Sequence, residues 1–76
     1  MTLEQIKTRI AYIEASKDDD ATAHRAEDEL HKEFIDYVRT TSMDPLGYGE
    51  LKDRQLSEKA ALVLSTNNIN FARWYA

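Results

Sequence analysis

Apolar residues recur along this chain at steps of three and four, and no stretch alternates over the length of a strand, so the pattern predicts helices throughout. Leu3, Ile6, Ile10 and Ile13 fall on one narrow stripe and predict a first helix over about 3–16. Thr2 can begin it. Its hydroxyl stands three residues before Gln5, the spacing at which the two side chains satisfy each other's backbone N–H groups. In the next segment Ala23, Ala26, Leu30, Phe34, Tyr37 and Val38 share about a third of the helical circumference and predict a second helix over 20–40. A third, over about 50–65, carries Leu51, Leu56, Ala60, Val63 and Leu64 inward with Leu62 on a neighbouring line, and Ser57-Glu58-Lys59 leaves open a fresh start within it. Asn70 reads as the cap of a last turn over 71–75, with Ile69 and Trp74 spaced as a hydrophobic staple. The expected fold class is all-α: one domain over 1–76, a small three-helix domain with a short C-terminal helical turn.

Between these elements the residues change type. Ser16-Lys17-Asp18-Asp19-Asp20 interrupts the periodicity, and aspartates directly before Ala21 suit a helix N-terminus, whose free N–H groups and dipole attract negative charge. The stretch 40–49 holds Pro45, Gly47 and Gly49 and reads as a loop. It lacks the strand and the Gly-Lys-Ser/Thr of a phosphate-binding loop.

Charge changes the picture in one place. Residues 1–40 hold ten acids against six bases, which is the whole net charge of −4, and the acids concentrate on the second helix. Such a face repels a phosphate backbone, so the expectation is no nucleic acid and a protein partner instead. At 76 residues the chain buries only about 60% of the surface its unfolded form exposes, and a homo-oligomer would add to that. The chain has no cysteine, hence neither disulfide nor thiolate metal site, and no apolar run nears the roughly 20 residues needed to cross a bilayer. The expected location is the cytoplasm, with no membrane partner.

The candidate chemistry sits on the second helix, where His24, Glu27, Asp28 and His31 form a stripe beside the apolar one. Imidazoles and carboxylates at helical spacing can hold a metal or move a proton. Here the histidines stand seven positions apart, about 10 Å along the axis, too far for one ion. No fourth ligand has an assigned place. The expectation is therefore no metal, no cofactor and no catalytic residue, with His24–Asp28 and Glu27–His31 as ordinary i,i+4 pairs. A small metal or acid/base site on these four residues is the rival reading.

Two segments carry a resemblance: Asp-Asp-Asp-Ala-Thr-Ala-His-Arg-Ala-Glu-Asp-Glu-Leu at 18–30 and Ile-Asn-Phe-Ala-Arg-Trp-Tyr-Ala at 69–76. In these the chain resembles a group of small proteins encoded by bacteriophages and prophages. Phe71-x-Arg73-Trp74 is the more specific half, and Asn70 stands where that group often has aspartate, keeping the capping role. The resemblance implies no activity. It implies a small accessory protein that binds a host or phage protein and inhibits or redirects it, and the residues expected to face that partner are Asp20, His24, Glu27, Asp28, Glu29 and His31.

Overall fold

A computed structural model describes residues 1–42, with side chains to residue 40, and residues 54–73. It is all-α. Helix α1 spans Leu3–Ala15, α2 spans Asp20–Ser42, α3 spans Leu56–Leu64, and a 3₁₀ turn, Ser65–Asn68, follows directly. The glycines of 40–49, Leu51, Trp74 and Tyr75 lie outside the described residues.

Both early helix starts have a local chemical cause. Thr2 Oγ1 accepts from the Gln5 N–H at 3.1 Å while Gln5 Oε1 accepts from the Thr2 N–H at 2.9 Å, the reciprocal cap that the sequence spells. Asp19 begins α2 in a related way. Its carboxylate accepts from the Thr22 N–H at 3.3 Å and from the Thr22 hydroxyl at 2.8 Å, and its carbonyl takes the first helical bond, from the Ala23 N–H at 2.9 Å. These bonds hold the Asp19 carboxyl below its ordinary range.

The three helices touch pairwise around one core of Ile6, Ile13, Ala23, Ala26, Leu30, Phe34, Val63, Ile69 and Phe71. The stripes of α1 and α2 are where the periodicity puts them. Helix α3 differs. Arg54 and Gln55 form a turn ahead of it, so it starts near the Ser57-Glu58-Lys59 break rather than at 50. Its inward line is Leu56, Lys59, Val63 and Thr66, and Leu64, expected inside, is 63% exposed. Polar side chains close this line because each finds a partner there. Lys59 donates to the Tyr37 hydroxyl at 3.3 Å and lies over its ring at 5.1 Å, and Thr66 donates to the Val63 carbonyl at 3.0 Å.

The C-terminal helical turn also falls earlier than the sequence suggests. Ser65–Asn68, whose residues favour caps and bends, continue α3 as the 3₁₀ turn, while 70–73 run without helix. Leu30, fully buried at the centre of α2, tests the common core. Leu30→Ala should lower the unfolding free energy by about 2 to 5 kcal/mol, read from urea melts, against little change for Ala11→Ser on the exposed side of α1.

Candidate functional site

The start of α2 fixes which way its polar residues face. At about 100° per residue, Glu33 lies on one side of the buried stripe, and Glu27 and His31 lie on the other. On the first side Arg9 of α1 donates to Glu33. On the second side stand α3 and the chain's last described residues.

Arg73 reaches Glu27 there. Its Nε donates to Glu27 Oε1 at 2.9 Å and its Nη2 to Oε2 at 3.1 Å, so one edge of the guanidinium covers both carboxylate oxygens. The same Nη2 donates to the carbonyls of Thr66 at 2.7 Å and Ile69 at 2.9 Å, and Nη1 to that of Phe71 at 3.3 Å. The cation sits 3.9 Å over the Phe71 ring. One turn before the α2 register of Ala23, Asp20 Oδ1 accepts from the Ala72 N–H at 3.0 Å. Residues 69–73 thus form a hook folded round its own arginine and locked to α2.

Glu27 is only 4% exposed, and burial pushes its carboxyl up. The hydrogen bonds from Arg73 and Thr66 and the charges of Arg73 and His31 outweigh that, and its pKa ends below the ordinary 4.5. The Thr66 hydroxyl stands 3.0 Å from the Val63 carbonyl and beside Glu27, and His31 Nε2 is hydrogen-bonded to the same oxygen at 3.0 Å.

The six residues expected to face a partner are thereby divided. Glu27 is buried on Arg73 rather than presented, because α3 and the hook cover that side of α2. Asp20 and His31 are part-buried and engaged with Ala72 and Thr66. His24 is part-buried with Nδ1 3.8 Å from Asp28, the one i,i+4 pair of the two expected that forms. Asp28 and Glu29 stand exposed, and among the described residues Glu29 has no hydrogen-bond or ion-pair partner. Arg25 and Lys32 share that exposed side, so it is mixed in charge rather than uniformly acidic. Among the described residues no three histidine, aspartate or glutamate side chains are grouped as a metal ion would need.

Sequence reasoning missed Arg73, Thr66 and one apolar feature. Between α2 and α3 lies a groove of about 180 Å³ lined by His31, Phe34, Ile35, Ala60, Val63 and Leu64. Ile35, 68% exposed, and Leu64 stand on its two sides. The single signal for Ile35 is an isoleucine lying off the stripe that faces the core.

Removing Arg73 takes from a buried carboxylate the guanidinium that pairs both its oxygens. Arg73→Ala should cost about 3 to 5 kcal/mol in chemical denaturation, and Arg73→Lys should recover only part of it, since an ammonium cannot cover both oxygens. The acid limb checks Glu27. A carboxylate with a depressed folded pKa stabilises fully above its unfolded value, and that contribution is lost as pH falls through the folded one. Wild type should therefore lose thermal stability as pH falls below the ordinary carboxylate value of about 4.5, and Glu27→Gln should start lower and show a flatter acid limb.

Compared with known protein families, curated proteins and solved structures, the chain has no match.

Proposed function

We propose that this protein works without catalysis, by binding another protein through the outward side of α2 and the apolar groove beside it. The observation that carries this reading is the pair Ile35 and Leu64, two large apolar side chains held exposed on either side of one groove. Burying such side chains against a partner is favourable, by about 25 cal/mol for each Å² removed from water. Asp28 lies seven residues before Ile35, two turns along the same line of the helix, and Glu29 stands about 100° further round on the exposed side. A partner that fits joins an apolar side chain to a basic group, so that Asp28 and Glu29 steer the encounter while the groove supplies contact.

The residues that could have done chemistry support a binding role by what they touch. Glu27, His31 and Asp20 are committed to Arg73, Thr66 and Ala72. Among the described residues no helix is long and apolar enough to cross a membrane. The resemblance of 18–30 and 69–76 to small phage-encoded proteins supplies the context for the proposal: a host or phage protein as partner, met in the cytoplasm of the host cell, with inhibition as the outcome.

Reversing Asp28 and Glu29 to lysine together should cut capture of a partner from host lysate about tenfold or more, with the melting temperature nearly unchanged. Ile35→Ser should weaken capture with equally little effect on folding, because its side chain stands in water in the free protein. Full capture by both variants would remove this side of α2 as the binding surface.

A further inference from the structure

We propose that Asp20, Glu27 and the Thr66 carbonyl form a recognition site for an arginine-bearing extended segment, filled within one chain by residues 69–73 and filled between two chains by the same segment of a second copy. The site on the body of the protein consists of three acceptors on two elements. Glu27 takes two guanidinium N–H groups, the Thr66 carbonyl a third contact, and Asp20 the backbone N–H of the residue before the arginine. The remaining bonds of Arg73, to the carbonyls of Ile69 and Phe71, and its stacking on the Phe71 ring stay inside the segment. The hook therefore brings its own shape to the site and keeps it wherever it docks.

Two features make the second copy the fitting occupant. Opening the site without a substitute takes Ile69 and Phe71 out of the core and breaks the paired hydrogen bonds of Arg73 with Glu27, so the open state is stabilised when an identical segment arrives on the same acceptors. The second copy brings that arginine with the Phe71 and Ile69 side chains already matched to the core. The joint is also suited to opening: Asn67 and Asn68 are exposed, and the backbone bond that ties the segment back is the one from the Ile69 N–H to the Thr66 carbonyl at 3.0 Å. This site adjoins the groove through His31, which lines the groove and hydrogen-bonds Thr66, but its acceptors Asp20, Glu27 and the Thr66 carbonyl are not groove-lining groups, so exchange and partner capture are read by separate experiments.

The chain has no cysteine of its own, which allows a direct test. The Ala72 N–H and the Asp20 carboxylate meet at 3.0 Å, so a chain carrying Asp20→Cys and another carrying Ala72→Cys are mixed at rising concentration, oxidised, and the disulfide-linked pairs distinguished by intact-mass spectrometry. Exchange gives hybrid disulfides several-fold above both like-with-like pairs, in a share that grows with concentration. A statistical mixture of hybrids and like pairs at every concentration overturns the proposal. A second arm uses Glu27→Gln, which keeps the hook, and Arg73→Ala, which keeps the acceptors. Each alone should run at one chain's mass and their mixture should yield a species of twice that mass, whereas a mixture that stays at one chain's mass counts against exchange. Should Arg73→Ala fail to fold, the cysteine arm decides.

Discussion

The pairing of Glu27 with Arg73 is the constraint on which the second half of the structure depends. A carboxylate at the inner edge of α2 is tolerable only with its charge and lone pairs answered, and a single guanidinium answers both oxygens while three carbonyls take its other donors. Geometry makes the choice of arginine intelligible. A planar fork matches a carboxylate edge and the surrounding carbonyls at once, and its flat face also covers Phe71. The result is that a segment with no helix of its own, 70–73, is held against α2 by side chains instead of a backbone ladder.

That requirement reaches back into α3. For the Thr66 carbonyl to meet Arg73, the helix must continue one turn past Leu64, and it does so as a tighter 3₁₀ turn that brings Thr66 fully inside. With Thr66 inward, the line of Lys59 and Val63 is inward as well, and Leu64 is rotated out. The exposed Leu64, across the groove from Ile35, belongs to the same register of α3. His31 joins the two regions physically, since it lines the groove and is hydrogen-bonded to Thr66, whose carbonyl holds the arginine.

How much of this was legible follows from what a local pattern can carry. Thr2 with Gln5, the Ile6–Ile13 line, and the stripe from Ala23 to Phe34 are local facts, set by spacings of three and four, and the structure repeats them. Glu27 and Arg73 are 46 residues apart, and no spacing rule joins them. In sequence Glu27 reads as a member of the stripe with His24, Asp28 and His31, paired to His31 four residues on, and nothing local points to Arg73. Thr66 sits among Ser65, Asn67 and Asn68, all residues that favour caps, so its burial is invisible until His31 and Val63 are seen beside it. In α3 the pattern places Leu56, Ala60 and Val63 against the core as the structure does, and fails at Leu64, because hydropathy cannot anticipate that a lysine over Tyr37 and a threonine beside His31 take inward positions.

The division of labour along α2 bears on function more than any single residue does. A helix of 23 residues has more circumference than a core this small can cover, and α1, through Arg9 and Glu33, and the α3 side, through Thr66 and Arg73, take the two flanks. What is left is the outward strip from Arg25 to Asp36, where Asp28, Glu29 and Ile35 stand in water. Charged residues there cost the fold nothing, but an exposed isoleucine paired across a groove with an exposed leucine forgoes burial that a slightly different α3 phase would have recovered. The register that sets the Thr66 carbonyl on Arg73 is also the one that leaves Leu64 exposed across the groove from Ile35. Among the described residues this apolar surface gains most by burial against another molecule, and that is the physical basis for proposing α2 as the side that meets a partner.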